Sequence, residues 1–276
     1  MPTPSDPTPE ELRNRRNISK AQKAIKDEYS LAIDEIFKSA VNLKFTNDTF
    51  RLSDNPQLQR KINETLKKFR IRVETILVNG IQNSFLISKQ NFRNTVYGAY
   101  DGRIVNDQIK AILNATYDRP MQAFLNRSIN GMNLSDRVWN LSYQFQKEIE
   151  ETIFSGLSNG RSAQEMSRDI RRYLNQPDKL FRRVRNAKGK LVLSGPAKKF
   201  SPGQGVYRSS YKNAMRVSRT EINTAYRSAD HDQYKDTPFV LGIEVRLSDM
   251  HFIVDYCDVL TGFYPKDFKF VGWHPN

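Results

Sequence analysis

NPQLQRKINETLKKFRIRVETIL, residues 55–77, decides the fold class of this chain. Its apolar residues Leu58, Ile62, Leu66, Phe69, Val73, Ile76 and Leu77 recur at spacings of 4, 4, 3, 4, 3 and 1, the repeat that gathers them on one side of a 3.6-residue helix. Asn55-Pro56 supplies the start signal, because proline at the first helical position gives up an N–H that has no partner there anyway. A stripe this continuous must be buried against something, and the sequence offers further helices. Upstream, Thr8-Pro9-Glu10-Glu11 reads as a capping box, and Ile25, Tyr29, Ala32, Ile36, Phe37 and Ala40 form a second stripe reaching about Leu43. Downstream, weaker helical patterns run over 88–100, 104–117 and 120–129, and Ser135 caps a clearer one carrying Val138, Leu141, Phe145, Ile149 and Ile153. Residues 10–155 therefore read as a helical bundle or stalk, preceded by a proline-rich disordered arm over residues 1–9.

The pattern changes after Gly156-Leu157-Ser158-Asn159-Gly160. Ser162-Ala163-Gln164-Glu165 is another capping box, opening a helix with Met166, Ile170, Tyr173 and Leu174 that Pro177 stops. Lys190-Leu191-Val192-Leu193 is strand-like and follows an Asn186-Ala187-Lys188-Gly189 turn, so about 181–206 reads as a basic hairpin or arm. Helix resumes near Arg208 with Ala214, Val217, Ser218, Ile222, Ala225, Tyr226 and Ala229, and residues 239–247 look like a strand. The expected fold class is mainly α with an α+β C-terminal half: helices over 10–155, then a smaller mixed domain over 156–276.

Charge is distributed unevenly. The 276 residues hold 44 Lys and Arg against 30 Asp and Glu, a net charge of +14. Residues 161–227 alone hold 17 basic and four acidic residues, so nearly all the excess lies there. Arg171, Arg172, Arg182, Arg183, Arg185, Lys188, Lys190, Lys198 and Lys199 are its densest runs. Like charges at this density oppose compaction unless an anionic partner offsets them, which points to a nucleic-acid backbone. The absence of a long apolar run or an apolar leader points to a cytoplasmic start, with no membrane partner. A single cysteine excludes an internal disulfide.

Candidate chemistry is sparse. Cys257 and His274 are the only metal-ligand pair with a hint of a zinc pattern, and no second cysteine stands at the usual spacing. Asp230-His231-Asp232 with Asp249 and His251 could serve a metal-dependent nuclease, but residues 230 and 232 on one helix point in different directions. No phosphate-binding loop, nucleophile elbow or zinc-protease pair is present. In Arg219-Thr220-Glu221-x-Asn223, Arg219 and Asn223 share a helix face and Glu221 lies on the other side. That arrangement suits a helix pinning neighbouring elements by polar contacts.

Read in order, Gly156-Leu157, Gly160-x-Ser162-x-x-Glu165-Met166, Arg219-Thr220-Glu221-x-Asn223-x-Ala225-Tyr226, Asp249, Cys257-x-x-Leu260-x-Gly262, Tyr264-Pro265 and Gly272-Trp273-His274-Pro275 resemble the Mu F-like phage head morphogenesis family. The resemblance covers about residues 150–276. It implies a minor capsid protein inside the procapsid, associated with the portal and with phage double-stranded DNA, and carrying no catalytic activity. It also implies two departures. The family's Cys-x-x-Cys is Cys257-Asp258-Val259-Leu260 here, and the chain stops at Asn276 where further cysteines are expected. The expectation is a sequence truncated at its C-terminal end, with zinc entering only if cysteines follow. A metal-dependent nuclease and a pure protein adaptor are the alternatives.

Overall fold

A computed structural model describes residues 7–40, 54–100, 107–115, 118–177, 183–185, 187–193, 207–235, 237–238, 240–245 and 262–265. Helix α1 (Pro9–Ser39) starts as its sequence requires: the Thr8 hydroxyl accepts from the Glu11 amide and the Glu11 carboxylate accepts from the Thr8 amide, which satisfies two of the donors a helix N-terminus leaves open. Helix α2 (Pro56–Ala99) is one element of 44 residues. The stripe over 55–77 and the weaker pattern over 88–100 belong to this one helix, which runs through Gly80. Gly80 is buried and lies so close to Ile222 that an added Cβ would come within 2.6 Å of that side chain. Tertiary packing against this point carries the helix through a residue that propensity disfavours.

Helices α3 (Asp107–Asn114) and α4 (Asp118–Leu125) are short. Helix α5 (Leu134–Ser158) is capped by Asn133 with Asp136, not by Ser135 as expected. Asn133 wins because its side chain accepts from the Asp136 amide while Asp136 returns the bond to the Asn133 amide, at 2.9 and 3.0 Å. At the other end Gly160, at φ +64°, turns the chain in the left-handed region. The Arg161 amide bonds the Gly156 carbonyl at 2.8 Å and the Gly160 amide bonds that of Leu157 at 3.0 Å, the paired closure typical of a glycine helix end. Helix α6 (Ala163–Asn175) opens on the Ser162–Glu165 capping box. Helix α7 (Ser210–Lys235) is the last helix among the described residues.

The core crosses residue 155. Ile25, Tyr29, Ile33 and Ile36 of α1 meet Ile62, Phe69, Val73 and Leu77 of α2, Phe145 and Ile149 of α5, Met166 and Ile170 of α6, and Ala214 and Ala225 of α7. Fully burying such a large side chain stabilises the fold by about 1.5–3 kcal/mol. At the centre the Tyr29 ring packs on Phe69 at 4.7 Å and Phe145 at 4.6 Å. A smaller apolar group, Phe92, Val96, Ile109 and Leu113, ties α3 to the end of α2, with Tyr234 of α7 against it. Polar pins set the register: Asn17 donates to the Gly80 carbonyl at 2.8 Å, and the Ser88 hydroxyl donates to Asp230 at 2.8 Å.

Two antiparallel ladders complete the described residues. Strands β1 (Arg183–Arg185) and β2 (Leu191–Leu193) pair with Val184 opposite Val192, a basic hairpin with Gly189 at φ +71° in its turn. Strands β3 (Gly242–Val245) and β4 (Gly262–Pro265) pair with Ile243 opposite Tyr264. The described part is thus mainly helical, and these two ribbons do not by themselves form an α+β domain. No helix among the described residues is long and apolar enough to cross a membrane.

Candidate functional site

Helix α7 is anchored at its start by a buried carboxylate. Ser209 caps it, its hydroxyl accepting from the Lys212 amide at 3.3 Å. Glu148 of α5, almost fully buried, accepts from the Ser210 amide at 2.8 Å and from the Ser210 hydroxyl at 2.5 Å, while Gln144 donates to it at 3.2 Å. Burial pushes the Glu148 carboxyl up to about 7, against the pull of the Ser210 hydroxyl and amide; loss of water around the charged form outweighs the hydrogen bonds. The incoming chain is held too, since Gln144 and the Tyr173 hydroxyl both donate to the Arg208 carbonyl.

This anchorage opens two adjoining clefts that share Pro177 and Arg208. The first, about 690 Å³, lies between α5 and α6 and mixes Lys147, Arg161, Arg172 and Arg208 with Glu148, Glu151 and Asp169. The second, about 550 Å³, is lined by Arg208, Lys212, Arg216 and Arg219 with polar Gln22, Asn175 and Gln176, and no carboxylate lines it among the described residues. Lys212, Arg216 and Arg219 make no ion pair with another described residue, and the Arg216 Nε is buried with no acceptor. Buried donors normally find partners. A cleft of cations with an orphaned donor on its wall has the chemistry of a phosphate seat.

The expected site residues separate into three groups. Arg171 is spent inside the molecule, bonded to Ser167 and paired with Asp34 at 2.7 Å, whereas Arg172 is exposed and lines the first cleft. Arg183 and Arg185 are on β1, and Lys188 and Lys190 are exposed at the hairpin turn. Arg182, Lys198, Lys199, Asp249, His251, Cys257, His274 and Pro275 lie outside the described residues. Among the motif positions, Gly160, Ser162 and Glu165 build the α5–α6 corner, and Gly262 opens β4.

On α7 the motif divides by face. Arg219, Thr220 and Asn223 are exposed, and Glu221 is buried. Its carboxylate is held by Arg127 at 2.6 Å and by both terminal nitrogens of Arg137, which stitches α7 to the α4–α5 connection and the first turn of α5. Burial draws the Arg127 guanidinium below its ordinary value while Glu221 pulls the other way. For the nuclease residues, Asp230 is turned toward Ser88 and Asp232 pairs loosely with exposed His231 at 3.7 Å. No group of three or more His, Cys, Asp or Glu able to hold a metal occurs among the described residues.

Three site residues escape a reading by charge runs: Lys212, Arg216 and Arg219. Their signal is spacing, 4 and then 3, which puts isolated cations on one helical face. Comparison with protein-family models, curated proteins and solved structures finds no match to the chain.

Proposed function

We propose that this protein is a non-enzymatic minor head component of a phage that holds double-stranded DNA through phosphate contacts without reading sequence, and that works beside the portal in DNA packaging or delivery. The observation that carries the DNA contact is the cleft of Lys212, Arg216 and Arg219, which no carboxylate lines among the described residues. The basic hairpin, with Lys188 and Lys190 exposed, extends the cationic segment. Placement in the virion interior, after assembly in a bacterial cytoplasm, rests on the ordered motifs. In the same reading the strands after α7 belong to a mixed C-terminal unit, and no cofactor is invoked.

Phosphate contacts release counterions, so affinity for duplex DNA falls steeply with salt and is indifferent to sequence. The test is the slope of log affinity against log salt for the wild type, for Lys212→Ser with Arg216→Ser and Arg219→Ser, and for Arg182, Arg183, Arg185, Lys198 and Lys199 all replaced by Ser. Both sets flatten the slope with circular dichroism unchanged; slopes equal to wild type in both overturn the reading. Plasmid incubated with Mg²⁺, Mn²⁺ or Zn²⁺ stays intact. Cutting that EDTA stops and Asp249→Ala abolishes would establish the nuclease instead.

A further inference from the structure

Trp139 and Tyr143 stand four residues apart on α5, and both are about half exposed. Their rings are 5.4 Å apart and 9° from parallel. One turn further on, the Lys147 ammonium lies 4.4 Å from the centre of the Tyr143 ring. Side chains this large repay burial, yet this pair faces outward from a helix whose opposite side fills the core with Val138, Leu141 and Phe145. They stack on each other with an offset, and with Lys147 over Tyr143 the shelf they offer a ligand is the open face of Trp139.

Beside the shelf runs a groove of about 270 Å³ between α5 and α2, with Lys67 and Arg70 on its α2 wall and Asn63 and Gln146 as polar lining. Among the described residues no Asp or Glu lines it, and Leu66 is its single aliphatic residue. A partner helix would meet almost no aliphatic surface here, whereas such helices dock through apolar stripes. An unpaired base would meet a π-face, and its flanking phosphates would meet three cations.

We propose that this groove binds single-stranded DNA: a base extends the Trp139–Tyr143 stack on the open face of Trp139, and Lys67, Arg70 and Lys147 hold the neighbouring phosphates. Duplex DNA gains nothing from the shelf because its bases are already stacked on one another. Lys147 also lines the first cleft, so a strand leaving the shelf is led toward Arg161 and Arg172. The site is separate from the duplex contact proposed above and stands or falls without it.

The chain has two tryptophans, Trp139 and Trp273, so full-length protein carrying Trp273→Phe reports on Trp139 alone. It is titrated with an oligo(dT) strand of about 16 nucleotides and with a blunt duplex of equal length. Oligo(dT) quenches Trp139 emission and the duplex does not. Trp139→Ala weakens oligo(dT) binding by roughly fivefold to a hundredfold, the range of one base–aromatic stack. Trp139→Phe restores most of it, and duplex affinity is unchanged in both. Lys67→Ser with Arg70→Ser, which leaves the rings in place, weakens oligo(dT) binding in low salt. The proposal is overturned if saturating oligo(dT) leaves Trp139 emission unchanged, or if Trp139→Ala lowers oligo(dT) and duplex binding equally or neither. The salt-slope variants at Lys212, Arg216 and Arg219 are read on duplex alone, so failure of one test does not mimic failure of the other.

Discussion

Glu221 and Glu148 are both buried carboxylates on helices, and they are stabilised by opposite means. Glu221 is compensated by two guanidinium groups, so its removal leaves Arg127 and Arg137 facing each other with little water. Breaking a buried pair from one side costs about 3–5 kcal/mol. Glu221→Ala is therefore expected to lower unfolding free energy by that amount in urea, and a loss below about 1 kcal/mol would show that solvent replaces the carboxylate. Glu148 is held by hydrogen-bond donors, Ser210 and Gln144. With its carboxyl raised from 4.5 to about 7, the folded protein binds that proton more tightly than the unfolded chain does. Its stabilising contribution is complete below pH 4.5 and lost as pH rises through about 7. Glu148→Gln is expected to remove this decline, so urea midpoints of variant and wild type diverge across that window; parallel curves would contradict it.

At the scale of the element, the closest approach is between α2 and α7. A Cβ on Gly80 would lie 2.6 Å from Ile222 Cδ1 and 3.0 Å from its Cγ1, and Ile222 is fully buried. Overpacking of this kind costs about 1–3 kcal/mol, less up to about 1 kcal/mol regained by replacing a helical glycine. Gly80→Ala is expected to destabilise by about 1–2 kcal/mol. Gly98→Ala, in the same helix with nothing within 4 Å, is expected to be neutral or slightly stabilising. Equal urea midpoints for the two variants would remove the close approach as the reason α2 runs unbroken. Helix starts were legible, as Thr8 with Glu11 and Ser162 with Glu165 show, because a cap is made within four residues. The continuity of α2 was not, because its cause lies on α7.

For the whole molecule, the consequence concerns salt. Each phosphate neutralised contributes about 0.9 to the slope of log affinity against log salt on duplex DNA. Replacing Lys212, Arg216 and Arg219 is thus expected to reduce the slope by roughly 2 to 3 if all three meet phosphates. A reduction near zero would assign those cations to the protein itself. Arg171 shows why a count of basic residues is not a footprint: it belongs to the richest run, yet it is paired with Asp34 and Ser167.

Apolar periodicity and capping residues by themselves determined that the described part is mainly helical and where most of its helices begin, and the residue order shows where positive charge is concentrated, since each depends on neighbours within a few positions. Only the tertiary structure decided that α6 and α7 share one core with α1, α2 and α5, and that Glu221 faces two arginines some ninety residues earlier. It also decided that Lys212, Arg216 and Arg219 line one cleft, with no carboxylate among its described residues. Those facts depend on which surfaces meet, and that is set by the packing of distant segments against water.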